Sequence, residues 1–145
     1  MSIDFSDLFS IKGRVALVTG GSRGIGEMIA AGYLSAGAKV YISSRKAAVC
    51  EATAARLSET YHGECIAIPS DLSGMAGVET LAREIASREP KLDILVNNAG
   101  AAWGAKLGEF PEVGWDKVMD TNAKGPFFLT QALLPQLRAA ASPEA

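Results

Sequence analysis

The chain has 145 residues, 48% of them hydrophobic and 21% charged, and its 14 Lys+Arg against 16 Asp+Glu leave a formal charge of −2. A chain of this length buries roughly 68–70% of its unfolded surface without help from metal or disulfide, so one globular domain over 1–145 is expected, and disorder or a fibrous architecture is argued against. The balanced charge, the lack of a basic run and the lack of ~18 consecutive apolar residues argue against nucleic-acid partners and a membrane span.

The amino terminus mixes Asp4 and Asp7 with Ile3, Phe5, Leu8 and Phe9 and has neither the basic start nor the apolar run of a signal peptide. Val15-Ala16-Leu17-Val18 is a continuous apolar run stopping at Thr19-Gly20-Gly21-Ser22, which predicts a strand covered on both faces and ended by a turn. Ile25, Met28, Ile29 and Tyr33 recur at helical spacing up to Gly37, predicting a helix with these residues as its buried stripe. Val40-Tyr41-Ile42 is the second predicted strand, and Ala47 to Tyr61 its helix, ended by His62-Gly63.

Cys65 to Ile68 is the third predicted strand, and Ser73 is placed to cap a helix through Val78, Leu81, Ala82 and Ile85 that stops before Pro90. Ile94-Leu95-Val96, the fourth, runs into Asn97-Asn98-Ala99-Gly100. A long helical region from about Val113 to Ala140 follows, with an irregularity expected near Gly125-Pro126 because proline donates no helical hydrogen bond. The tail from Ser142 carries no pattern. Strands alternating with helices imply the α/β class: a parallel sheet with helices on its faces.

A helix that starts at a glycine turn after a buried strand offers unpaired N–H groups and the positive end of its dipole, a site suited to a pyrophosphate. Gly20 suits the tight turn, Gly24 leaves room for phosphate to approach the backbone, and Gly26 allows close packing of the helix. Their spacing is not G-x-G-x-x-G, and no lysine follows as a triphosphate-binding loop requires. An acidic residue commonly ends the second strand of dinucleotide sites and takes the ribose hydroxyls. Here the strand ends in Ser43-Ser44-Arg45-Lys46 instead, and Arg45, helped by Arg23, is equipped to clamp a 2′-phosphate, so NADP(H) is the expected cofactor. Cys50, Cys65 and the lone His62 show neither redox nor metal-ligand spacing; no metal is expected, a reducing cytoplasm is, and His62 is expected at the surface.

The run Thr19-Gly20-Gly21-Ser22-Arg23-Gly24-Ile25-Gly26, followed in order by Asp71-Leu72, by Asn97-Asn98-Ala99-Gly100 and by Asn122, resembles the short-chain dehydrogenase/reductase family from about Lys12 to Ala140. The resemblance implies a doubly wound parallel sheet, the Rossmann fold, in three α/β/α layers, with the cofactor across the strand carboxyl ends. It implies that Gly20, Ser22, Arg23, Gly24, Ile25 and Gly26 cradle the cofactor. Asp71 and Leu72 would meet the adenine, and Asn98, Ala99 and Gly100 would pass beside the adenosine ribose. Asn122 would help hold a water in the proton path. Taken alone, Asp71 is equally suited to capping the loop before Ser73, and Asn97 and Asn98 to serving as turn residues. Within the family, the stretch from Leu92 to Gly104 and the Ser22-Arg23 pair are most similar to bacterial reductases of 3-oxoacyl thioesters, including the type tied to rhamnolipid synthesis. Trp103 is a candidate pocket wall.

The family's chemistry uses a tyrosine with a lysine four residues later, and a serine that polarises the carbonyl. Tyr33, Tyr41 and Tyr61 are followed at that position by Gly37, Arg45 and Cys65, so none qualifies. Two readings follow: a cofactor-binding fragment of a carbonyl reductase, inactive alone, or a noncatalytic NADP-binding or interaction module. The fragment reading also predicts an edge at the fourth strand and an exposed apolar face at Phe127, Phe128, Leu129, Leu133, Leu134 and Leu137, a surface for a homo-oligomer.

Overall fold

A computed structural model of the chain describes residues 8–141. Residues 1–7 and the tail from Ser142 lie outside the described residues. The elements run β1 (Val15–Thr19), α1 (Gly24–Ser35), β2 (Lys39–Ser43), α2 (Ala47–Tyr61), β3 (Cys65–Ala67), α3 (Met75–Arg88), β4 (Ile94–Val96), α4 (Glu112–Met119), a π-helical turn (Asp120–Lys124), α5 (Gly125–Ala132) and α6 (Leu134–Ala140). All strand pairs are parallel and the order is β3-β2-β1-β4, with Leu17 between Tyr41 and Leu95. The chain moves outward from β1 to β3 and then crosses to the far side of β1. Strand order therefore reverses at β1, where the carboxyl ends of such sheets open into a crevice.

Side-chain alternation along each strand divides the core in two. Val15, Leu17 and Tyr41 face α3 and α5, where they pack with Leu81, Ile85, Leu92, Leu129 and Leu133. Val18, Val40 and Ile42 face α1 and α2, against Ala30, Leu34, Cys50, Ala54 and Leu57. Because both faces are covered, β1 has to be apolar at consecutive positions, which is why it reads as an unbroken run. Each fully buried leucine or isoleucine contributes about 1.5–3 kcal/mol. Both cysteines are free and buried; burial pushes the Cys65 thiol up to about 12 and also raises that of Cys50, which removes nucleophilic character from each.

Several expectations need correction. The buried stripe of α1 is Gly26, Ala30 and Leu34, while Ile25 and Met28 are each 71% exposed. The helix presents its small residues to the sheet and so lies close to it; Ile29 and Tyr33 flank that stripe, partly buried. Ser73 does not cap α3. Gly74 stands at the cap without a side-chain bond, and the Ser73 hydroxyl donates to Asp71 Oδ1 at 2.8 Å.

The region from Val113 to Ala140 is not one helix. Its backbone widens just before Gly125-Pro126, where the Gly125 N–H reaches back to the Asp120 carbonyl. It breaks again at Leu133, ahead of Pro135, since each proline removes a ladder donor. The expected exposed face is also smaller than proposed: Leu129 and Leu133 are fully buried in the core, leaving Phe127 and Leu134 as its exposed members. Strand β4 does form a sheet edge.

Candidate functional site

At the carboxyl ends of β1, β2 and β4 lies a cleft of about 590 Å³. Its floor is the turn from β1 into α1. Gly20 and Gly24 take φ of +66° and +58°, the left-handed region that glycine enters without strain. A Cβ on Gly26 would collide with the Gly20 carbonyl and meet the Asn98 amide nitrogen, so the turn closes only over glycine there. Arg23 caps α1 in extended backbone and supplies no side-chain cap bond. The first-turn N–H groups are thus left to whatever enters the cleft.

The turn is fastened to its neighbours on both sides. Toward β4, Thr19 Oγ1 donates to the Val96 carbonyl at 3.2 Å and accepts the N–H groups of Asn98 and Ala99, each at 3.0 Å. Asn98 Nδ2 returns two bonds, to the carbonyls of Thr19 (3.0 Å) and Gly20 (3.4 Å). Toward β2, the Gly21 N–H donates to the Ser43 carbonyl at 3.2 Å. Asparagine suits this work because one amide satisfies two carbonyls that the end of a parallel ladder would strand.

The β2 wall differs in character. Ser43 and Ser44 line the cleft next to the exposed Arg45 and Lys46; the Ser43 hydroxyl is buried with no hydrogen-bond partner, and the buried Ser44 hydroxyl has only the Cys50 thiol, a weak partner, beside it. Beside that wall, after β3, Asp71 Oδ1 accepts both the N–H (3.0 Å) and the hydroxyl (2.8 Å) of Ser73. Burial opposes ionisation of Asp71, but those two bonds and the nearby Arg45 outweigh it and hold the carboxyl below its ordinary range. The loop-capping role open to Asp71 is therefore realised, with Oδ2 still available. Leu72 is 6% exposed, part core and part cleft lining.

Gly20, Ser22, Arg23, Gly24, Ile25, Gly26, Arg45, Asp71, Leu72, Asn98, Ala99 and Gly100 all line this one cleft. Asn122 stands beside it, in the π-helical turn. Its amide pairs with the Ala101 backbone, accepting the N–H at 2.7 Å and donating to the carbonyl at 2.8 Å. One lone pair and one N–H remain on that amide. His62 is exposed and ends α2 in left-handed backbone, and no group of metal-ligating side chains occurs among the described residues.

A second hollow, about 640 Å³, shares Ala101 with the cleft; Trp103, the expected pocket wall, lines it, and sequence reasoning missed its other members. Phe110, Pro111, Glu112, Trp115, Val118 and Met119 line it with Trp103. The Trp103 ring lies against Gly114, where a Cβ would come within 2.7 Å, and the Lys117 ammonium sits 5.5 Å above it. The signal was present as bulky apolar residues in a glycine-dotted loop, but α4 had to be placed before they could be seen to converge.

A sequence model described as "short chain dehydrogenase" matches residues 14–143. The chain is 55% identical over 136 residues to a rhamnolipids biosynthesis 3-oxoacyl-[acyl-carrier-protein] reductase of Pseudomonas aeruginosa, covering 94% of this chain and 52% of that one. It is 36% identical to a D-threitol dehydrogenase of Mycolicibacterium smegmatis, over 92% of this chain and 50% of the relative. Among solved structures, a Pseudomonas aeruginosa RhlG/NADP active-site complex superposes with TM-score 0.89 at 55% identity, over 94% of this chain and 52% of that chain. An L-sorbose reductase of Gluconobacter frateurii in complex with NADPH and L-sorbose superposes with TM-score 0.86 at 29% identity, over 90% of this chain and 49% of that one. The chain spans about half the length of these relatives.

Proposed function

The chain belongs to the short-chain dehydrogenase family, and from that premise we propose that it holds NADP(H) in the cleft, as the cofactor-binding half of an oxidoreductase that reduces a 3-oxoacyl thioester to a secondary alcohol. One observation carries the cofactor assignment. The buried Ser43 hydroxyl, which has no partner, and the Ser44 hydroxyl, which has only the weak Cys50 thiol beside it, stand next to Arg45 at the end of β2, in the same cleft as the uncapped start of α1. Buried hydroxyls without partners are costly, and a ligand phosphate with its attached ribose is the kind of group that would satisfy them. The donor set fits the cofactor: backbone N–H groups of the turn for the pyrophosphate, and Arg45 with Arg23 for a 2′-phosphate. An RhlG/NADP complex among the structural neighbours supports the same reading.

When bound, the nicotinamide dinucleotide supplies hydride. The residues of this chain bind and orient. Asn98 holds Gly20 and Thr19 in place and so keeps the turn open. Asp71 Oδ2 is free to accept from an adenine amino group, and Leu72 to flank the ring. Asn122 fixes the Ala101 backbone, and its remaining N–H and lone pair suit it to hold a water for proton transfer. The second hollow adjoins the cleft at Ala101, and its aromatic lining suits the hydrocarbon part of an acyl substrate. No tyrosine of this chain has a lysine at the fourth following position, so the chain's residues bind and orient and do not move the proton themselves. Phe127 and Leu134 remain as the apolar surface through which subunits would associate.

A noncatalytic cofactor-binding module is the second reading, favoured by the lack of any tyrosine with a lysine at the fourth following position. Both readings are tested by assaying NADPH oxidation with an acetoacetyl thioester, using this chain and a form extended along its own reading frame. The reductase reading expects turnover by the extended form alone. No turnover by either form favours the module, and turnover by this chain alone contradicts the division of roles.

A further inference from the structure

The β2 side of the glycine turn is held by one buried side-chain bond whose donor comes from outside every motif described above. Thr53 lies in the second turn of α2 and is 6% exposed. A threonine inside a helix commonly returns its hydroxyl to its own backbone one turn back. Here it reaches across instead and donates to the Ser22 carbonyl at 3.0 Å. Ser22 is itself buried, 8% exposed, and immediately precedes Arg23. The bond therefore ties the helix that begins just after Arg45-Lys46 to the peptide just before Arg23. An exposed ion pair, Arg56 to Glu27 at 2.7 Å, links α2 to α1 itself further along.

We propose that Thr53 is a positioning residue for cofactor selectivity, setting the separation of Arg23 and Arg45 and thereby the preference for a 2′-phosphorylated dinucleotide over its unphosphorylated counterpart. The inference rests on the NADP(H) reading of the cleft. Arg23 belongs to the glycine turn and Arg45 to the end of β2, so a 2′-phosphate held by both depends on the spacing of the two segments. A pyrophosphate held by the N–H groups of the turn alone does not. Loss of the Thr53 hydroxyl strands a buried carbonyl, and the turn shifts or admits water to satisfy it. Such a shift weakens grip on the 2′-phosphate more than grip on the pyrophosphate.

The test is titration of NADPH and NADH against tryptophan fluorescence in the full chain and its variants. Thr53→Val keeps the shape and removes the donor; it is expected to lower the ratio of NADPH to NADH affinity roughly tenfold, with NADH affinity changed much less. Thr53→Ser keeps a hydroxyl and is expected to retain the ratio, a rescue that loss of packing alone would not produce. Should the valine variant fail to fold, Thr53→Ala removes the donor with a smaller side chain and carries the same expectation. An unchanged ratio in the folded donor-less variant, or a ratio lost equally in Thr53→Ser, overturns the proposal while leaving the NADP(H) reading intact. A wild-type chain that does not favour NADPH overturns both.

Discussion

The two ends of the sheet treat their polar groups in opposite ways. At the amino end most of them are spent on one another, the buried Gln136 Oε1 beside Leu92 being an exception. Asp93 accepts from Arg14 Nη1 and from the Val15 N–H, each at 2.9 Å. Glu89, at the end of α3, takes the Tyr41 hydroxyl at 2.6 Å and Lys39 Nζ at 2.8 Å, and Lys39 also reaches Glu64 at 3.1 Å. At the carboxyl end the bonds that exist hold backbone in shape, while the buried Ser43 hydroxyl and the start of α1 are left without side-chain partners. The amino end is thus organised for stability and the carboxyl end for a ligand. Substitutions at the two ends should accordingly differ in sign as well as in size.

The largest effect is expected at the carboxyl end where shape, not polarity, is at stake. Gly26→Ala drives a methyl group into the Gly20 carbonyl and the Asn98 amide, both parts of a locked turn. Cofactor binding should fall at least a hundredfold, with stability lowered by about 1–3 kcal/mol, read by titration and chemical unfolding. Next comes Asp93→Ala. Its carboxylate is 4% exposed and serves a buried strand N–H, so its removal should cost about 2 kcal/mol of unfolding free energy and leave cofactor affinity within twofold.

The amino end should also contribute most of the response to pH, with the lowered carboxyl of Asp71 adding to the acid side from the carboxyl end. Burial opposes ionisation of Glu89 and Asp93, yet Lys39 and Tyr41 for the one, and the Val15 N–H and Arg14 for the other, hold both carboxyls below the ordinary range. Their contribution is complete above the unfolded carboxylate values, about 4, and is lost as pH falls through the lower folded values. On the alkaline side, Glu89 raises Lys39, and burial followed by Glu89 pushes Tyr41 up to about 12. That contribution is complete below about pH 10 and declines as pH rises through the folded values. Thermal unfolding across pH should show a plateau between these limits, with the acid shoulder reduced in Asp93→Ala. A profile unchanged by that substitution would deny Asp93 its part.

The smallest effect has the opposite sign. Ser43→Ala removes a buried hydroxyl that has no partner, so the ligand-free chain should gain about 1 kcal/mol, and the stabilisation that NADPH confers should shrink. A loss of stability would mean that Ser43 resembles the paired groups of the amino end.

Much of this contrast was legible in the residues, and the failures have physical causes. β1, α2 and the glycine turn could be read because a fully covered strand must be apolar throughout and a positive φ favours glycine. The stripe of α1 was misplaced because apolarity, the signal used, favours Ile25 and Met28 over Gly26 and Ala30, and close packing on a sheet favours the small pair. Ser73 has the chemistry of a helix cap but gives its hydroxyl to Asp71, a choice between neighbours that spacing does not encode. The bond from Thr53 joins segments far apart in sequence, and the second hollow lies within one stretch, Ala101 to Met119, whose folding onto α4 spacing alone does not reveal.

The claim that the carboxyl end is shaped for a 2′-phosphorylated dinucleotide is met most directly by titrating NADPH and NADH against the chain and its Arg45→Ala variant. Arg45 is exposed and makes no bond that the fold depends on, so unfolding free energy should change by less than about 0.5 kcal/mol. NADPH should bind the unaltered chain more tightly than NADH, and Arg45→Ala should weaken NADPH about tenfold while leaving NADH unchanged. Equal affinities in the unaltered chain, or equal losses for both cofactors in the variant, would contradict the account.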